Sequence, residues 1–140
     1  MTVDNRDELP PLSDPQWQDL ARQAQQIREY AYAPYSQFRV GAALLAKDGR
    51  VFTGVNVENT SYGLTVCAER SAVCTAIGNG VDQFIALVVA TSSGALPCGA
   101  CRQFLFEWGG ALPVRAIDDT GEVGQIKLLS ELLPEGFRLR

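Results

Sequence analysis

Histidine is absent from all 140 residues of the chain. Its absence removes imidazole metal ligands, Ser-His and Cys-His nucleophile pairs and imidazole general bases together. Acid-base chemistry must then run on carboxylates, cysteines, lysines, tyrosines or a metal-activated water. Basic charge is scarce as well. Twelve Lys and Arg stand against 16 Asp and Glu, for a net charge of −4 and a pI near 4.8, and no two basic residues are adjacent. A protein that grips polynucleotide by its phosphates carries a basic patch, so no nucleic acid is expected as a partner. Long apolar runs are missing too. A membrane span needs roughly 20 apolar residues, and the best run, Phe84 to Ala90, has the length of a buried strand; no membrane partner is expected. The opening MTVDNRDELPPL has no basic start followed by an apolar core, so it does not read as a secretory signal. The expected compartment is the cytoplasm.

What is present suits a globular protein, with 46% hydrophobic and 20% charged residues. Residues 1–12 are polar, acidic and proline-containing and read as a mobile N-terminal arm. No linker, repeat or low-complexity stretch follows, so residues 13–140 read as one domain. Ser13 is an expected N-cap, with Trp17, Leu20, Ala21, Ala24, Ile27 and Ala31 at helical spacing behind it. Phe38 to Ala46 and Val51 to Val57 read as a hairpin around Lys47-Asp48-Gly49-Arg50. A helix is expected over Cys67 to Ile77, a buried strand over Phe84 to Thr91 and a short helix over Cys98 to Trp108. A strand over Leu112 to Ile117 and a last helix over Ile126 to Leu133 complete the order. Alternation of this kind predicts an α/β fold, a mixed sheet with helices on both faces.

The four cysteines are Cys67, Cys74, Cys98 and Cys101. In a reducing compartment they read as metal ligands, catalytic groups or core thiols before disulfides. Cys98 and Cys101 are three apart at an expected helix start and share a face, so both sulfurs can reach one metal. A lone C-x-x-C also fits a redox dithiol. Cys67, 31 residues upstream at another helix start, sharpens the metal reading. Three thiolates at two helix N-termini suit zinc, and each helix end favours their negative charge. Cys74 lies seven residues beyond Cys67, about 10 Å along a helix, too far for a fourth ligand; it is expected to be a core thiol. Three protein ligands with one vacancy is the pattern of a catalytic zinc.

Glu69 and Arg70 follow Cys67 directly. A carboxylate off the end of that helix can take a proton from an activated water and deliver it to a substrate nitrogen, and with no histidine Glu69 is the candidate shuttle. Zinc with three thiolates carries a net −1. A guanidinium on those sulfurs reduces their donation and restores acidity to the water, a role open to Arg70.

With these residues in view, the chain resembles the cytidine deaminases, specifically their short, homotetrameric, three-cysteine type. The resemblance runs from Pro34 to Phe137. It includes Pro34-Tyr35-Ser36-Gln37-Phe38, Val40-Gly41-Ala42-Ala43-Leu44, Asn56-Val57-Glu58-Asn59, Ser61-Tyr62-Gly63-Leu64, Cys67-Ala68-Glu69-Arg70 and Pro97-Cys98-Gly99-Ala100-Cys101-Arg102-Gln103. It ends with Glu131-Leu132-Leu133-Pro134-Glu135-Gly136-Phe137. It implies a three-layer α/β/α fold with a mixed central sheet of about five strands. It implies one Zn2+ per chain on Cys67, Cys98 and Cys101. It further implies hydrolytic deamination of cytidine and 2′-deoxycytidine to the uridines with loss of ammonia, in pyrimidine salvage.

Glu69 would then protonate the pyrimidine at N3 and carry a proton to the departing nitrogen. Asn56 and Glu58 would bind the ribose hydroxyls, Phe38 would stack on the base, and the Ala68 N–H would meet the base carbonyl. Tyr62 would join the substrate contacts, as would Phe137 from a neighbouring subunit. Arg70 would bond the thiolates, with Gln103 also behind the metal. The implied partners are a small-molecule nucleoside and three further copies of the chain. Where the family usually has Ser before the Pro-Cys step, this chain has Leu96.

Plainer readings stand beside these. Three cysteines could form a structural zinc knot, although such knots close with four ligands. Taken singly, Glu69 is a helix-start glutamate favoured by the dipole, and Asn56 and Glu58 are solvated turn residues. Phe38 and Phe137 are core or interface groups, and Arg70 is a solvated helix residue. A deaminase of another cytosine nucleoside and a non-catalytic zinc-stabilised interaction module remain open alternatives.

Overall fold

The computed structural model describes residues 9 and 11–139, so most of the expected 1–12 arm lies outside the described residues. Helix α1 spans Asp14–Arg28, and its start is fixed reciprocally. Ser13 Oγ accepts from the Gln16 N–H at 3.3 Å while Gln16 Oε1 accepts from the Ser13 N–H at 2.9 Å, a capping box that satisfies two amides. Strands β1 (Gly41–Ala46) and β2 (Val51–Val55) form the expected hairpin. Helix α2 (Ala68–Gly78), strand β3 (Phe84–Ala90), helix α3 (Gly99–Phe106) and strand β4 (Pro113–Ile117) follow in the expected order.

The last expected helix is corrected. Residues 127 and 128 instead form a two-residue strand β5 (Lys127–Leu128), and only one turn of helix, α4 (Leu129–Leu132), succeeds it. The reason is the open edge of β4. Pro113 pairs with Leu128 and Val114 with Lys127, and those ladder bonds claim the backbone that helical periodicity had assigned to a first turn. Glu131 Oε1 then accepts from the Leu128 N–H at 3.0 Å and marks where α4 begins.

The five strands lie in the order β2-β1-β3-β4-β5. Only β3 and β4 run parallel, so the sheet is mixed. One face carries α1: Trp17, Leu20, Ala21 and Ala24 pack on Ala43, Ala86, Val88, Ala90 and Ile117. The other carries α2, α3 and α4, where Ala72, Val73, Leu105 and Leu129 meet Leu44, Leu87, Val89 and Val114. The three-layer α/β/α expectation is thus met. A register irregularity between Leu45 and Ala46 brings Phe84, rather than Ile85, opposite Ala46. That slip lets Phe84 share a face with Leu87 and Val89 despite the odd spacing.

Register also decides where chemistry can gather. Gly41 faces Val55 on one side and Ala90 on the other, and Ala90 pairs with Ile117. The chain entering β1, the chain leaving β2 and the chain leaving β3 therefore meet at one end of the sheet. Those three segments carry Phe38, then Asn56 and Glu58, then the approach to Cys98.

Two glycines set helix-to-sheet distance. A Cβ on Gly41 would lie 2.2 Å from the Ala24 carbonyl oxygen, and one on Gly54 would lie 2.5 Å from both the Ala68 oxygen and the Ala72 nitrogen. Each clash is with backbone, so a whole helix must move. Gly41→Ala and Gly54→Ala are each expected to cost about 1–3 kcal/mol or more in denaturant unfolding. Gly54→Ala should also depress kcat, because it displaces the first turn of α2; Gly41→Ala should leave kcat near wild type. Equal kcat in the two variants would refute this division.

Candidate active site

Cys67 is the N-cap of α2 and Cys98 the N-cap of α3, while Cys101 sits in the first turn of α3. Both helices lie on the same sheet face, and the three Sγ atoms fall within 4.8 Å of one another. Tetrahedral zinc with Zn–S near 2.3 Å sets its sulfurs about 3.8 Å apart, so small side-chain adjustments close this set on an ion. Among the described residues no fourth His, Cys, Asp or Glu joins the group. That leaves a corner for a solvent molecule.

Cys74 is corrected. It is exposed rather than a core thiol. The buried face of α2 is Ala68, Glu69, Ala72, Val73 and Ala76, and Cys74 projects from the opposite side. The argument from helical rise excluded it as a ligand but did not determine which face it takes.

The thiols already share charge. The Cys67 thiol is pulled down to about 5, first by a hydrogen bond from Cys101 and then by Arg70, against the opposing effect of burial. Cys101, fully buried, is pushed up as the partner that keeps the proton, by that same bond and by burial. Arg70 Nη2 donates to Cys67 Sγ at 3.4 Å, and its own pKa rises in response. Arg70 Nε is buried without a hydrogen-bond partner. A guanidinium that bonds Cys67 and interacts with Cys101 fits a site in which those sulfurs are thiolates.

Glu69, two residues along, is only 4% exposed. Burial pushes its carboxyl up to about 7, and the neighbouring Cys67 thiolate adds to the rise. A carboxyl poised near neutrality can both take and give a proton. Ala68 opens α2 and is fully buried, so its N–H belongs to the first-turn amides that have no acceptor within the helix.

The nucleoside-contact candidates lie at the sheet end already described. Asn56 is buried; its Oδ1 accepts from the Val40 N–H at 2.9 Å and its Nδ2 donates to the Phe38 carbonyl at 2.8 Å. Glu58 Oε1 accepts from the N–H groups of Tyr35 and Ser36 at 2.9 and 3.2 Å. Glu58 Oε2 accepts from Ser36 Oγ at 2.5 Å. These bonds, the Ser36 hydroxyl foremost, hold the Glu58 carboxyl below its usual range. Asn56 and Glu58 thus clamp the segment that carries Phe38, besides offering their remaining lone pairs and protons outward. Tyr62 is exposed on a 3-10 turn (Tyr62–Leu64), with its ring edge-on to Tyr35 at 6.2 Å between centroids.

Gln103 lies on α3. Its Nε2 donates to the Phe137 carbonyl at 2.9 Å and ties α3 to the C-terminal segment, with no bond to a sulfur among the described residues. Phe137 itself is 65% exposed, as suits an aromatic that reaches outward. Arg102, which sequence reasoning passed over, spans Pro97 O at 2.7 Å and Leu132 O at 2.8 Å, so it ties the start of α3 to the end of α4. Leu96 packs against the apolar cluster beneath α2 and α3, which accounts for an apolar side chain before the Pro-Cys step.

Residues 15–114 match the family model for the cytidine and deoxycytidylate deaminase zinc-binding region. The cytidine deaminase of Sporosarcina psychrophila is 46% identical over 121 residues, covering 84% of this chain and 88% of that one. The cytidine deaminase of Mycobacterium tuberculosis strain H37Rv is 44% identical over 135 residues, covering 91% and 94%. Among solved structures, the cytidine deaminase of Burkholderia pseudomallei superposes with a TM-score of 0.82 at 43% identity, covering 90% of this chain and all of that one. With its cysteine trio, its buried glutamate and matches spanning nearly the whole sequence, the chain belongs to the cytidine and deoxycytidylate deaminase family.

Proposed function

We propose that this protein is a zinc-dependent hydrolase that converts cytidine and 2′-deoxycytidine to uridine and 2′-deoxyuridine with release of ammonia, a pyrimidine-salvage reaction. One observation carries the reading above the others: three thiols converge from two helix starts beside a buried carboxyl whose pKa lies near neutrality. Cys67, Cys98 and Cys101 would hold the ion. When bound, it supplies Lewis acidity that makes water a nucleophile at neutral pH.

The remaining work belongs to the chain. Glu69 takes a proton from the attacking water as the new C4–O bond forms, and passes it to N3 of the ring. It then delivers the water's second proton to the amino nitrogen as the C4–N bond breaks and ammonia leaves. One water enters and one ammonia departs, so Glu69 ends as it began. The Ala68 N–H offers a donor to the base carbonyl, Phe38 and Tyr62 an aromatic wall, and Asn56 and Glu58 hydrogen-bonding capacity for the ribose. Arg70 tempers the charge of the thiolates.

We place residues 13–140 in one deaminase domain working as a homotetramer, with Phe137 reaching a neighbouring subunit. A three-thiolate centre needs reducing surroundings, which supports the cytoplasm as its compartment. Metal analysis combined with ammonia release from cytidine tests the reading directly. Near one zinc per chain with steady ammonia release is expected. Zinc-loaded protein that leaves the ultraviolet spectrum of cytidine unchanged over hours would point to the non-catalytic module, and turnover of another cytosine nucleoside alone would reassign the substrate.

A further inference from the structure

Phe38 belongs to neither core cluster and is 40% exposed, so side-chain packing does little to place it. Its backbone is held instead, and by side chains at both ends. The Phe38 N–H donates to Ser36 Oγ at 3.0 Å, and the Phe38 carbonyl accepts from Asn56 Nδ2 at 2.8 Å. Ser36 Oγ in turn donates to Glu58 Oε2 at 2.5 Å. A hydroxyl has one proton to give and lone pairs to receive. Here the proton goes to Glu58 and a lone pair receives the Phe38 amide. Between the two, Gln37 has φ +58°, a left-handed conformation that a non-glycine residue keeps only when its surroundings enforce it. The hydroxyl is the link that reaches the Phe38 amide itself, since the other Glu58 bonds stop at the Tyr35 and Ser36 amides.

We propose that Ser36 is a positioning residue, whose hydroxyl bridges the Glu58 carboxylate to the Phe38 amide and thereby sets the Phe38 ring over the substrate base. The substrate half of this inference rests on the deaminase reading above; the bridge itself does not. A ring that stacks equally on substrate and transition state influences KM rather than kcat.

The test uses Ser36→Ala and Ser36→Thr in the full-length, zinc-loaded protein. For Ser36→Ala, KM for cytidine should rise about tenfold with kcat within about twofold of wild type. The melting temperature should barely move, because Ser36 is exposed. Amide exchange at Phe38, followed by NMR, should accelerate about tenfold in the same variant. Ser36→Thr keeps the hydroxyl and should restore both KM and protection. Unchanged exchange in Ser36→Ala overturns the bridge. Faster exchange with unchanged KM overturns its role in placing the ring. Failure of the deaminase reading would show in the wild-type assay before any variant is made, while failure of the bridge shows in the exchange data with or without activity.

Discussion

Replacing Glu69 with Gln should yield a folded, zinc-loaded protein whose kcat is lower by about 10²–10⁴-fold, the usual contribution of a positioned acid-base group. Gln has the shape of Glu, so the buried pocket that holds the side chain at 4% exposure keeps its packing. The amide can still hydrogen-bond water but cannot relay a proton, and that relay is the one task for which this histidine-free chain has no substitute nearby. The substitution also removes a carboxyl that burial and the Cys67 thiolate both disfavour in its charged form, so the variant should melt no lower than wild type. Stopped-assay turnover, zinc content and a thermal melt on the same preparation decide the matter. A variant that retains zinc and turns over at near-normal rate removes Glu69 from the chemistry. One that loses zinc assigns it to the metal site instead.

Cys101→Ser should have the second large effect, on metal and stability together. Cys101 is fully buried in the first turn of α3, and its sulfur joins a group contributed by two helices. Serine offers a harder and far less acidic ligand, unsuited to zinc at neutral pH. Zinc content should fall from one per chain to a trace. A ligand present at 100–1,000 times its Kd adds about 3–4 kcal/mol to stability, so its loss should lower the melting temperature by on the order of 10 °C. Cys74→Ser is the internal control. Cys74 is exposed on the far side of α2, so zinc content and kcat should both stay at wild-type values. If Cys74→Ser emptied the site while Cys101→Ser did not, the assignment of ligands would be reversed.

The fold was legible wherever local chemistry and burial agreed. Ser13, the Lys47–Arg50 turn and the apolar run at Phe84–Ala90 each announce an element, and each lies where expected. The residues after Ile126 misled because their apolar spacing suits either state, and what chose between them was the unpaired edge of β4, a partner that the spacing within the segment does not reveal. Cys74 misled for a related reason. Helical rise gives distance along an axis, but the face turned inward depends on how α2 seats against β2, a seat fixed by the missing Cβ of Gly54.

The sequence alone determined the chemistry available to this protein. With no histidine and with cysteines at 67, 98 and 101, a thiolate metal site with a carboxylate shuttle is the consistent reading. Only the tertiary structure decided that the sulfurs converge, that Glu69 is buried deeply enough to hold a proton near neutrality, and that Asn56 and Glu58 also hold the backbone of Phe38. The physical reason is that side-chain chemistry is written residue by residue. Convergence and desolvation, by contrast, depend on strand register and helix seating, which join segments distant along the chain.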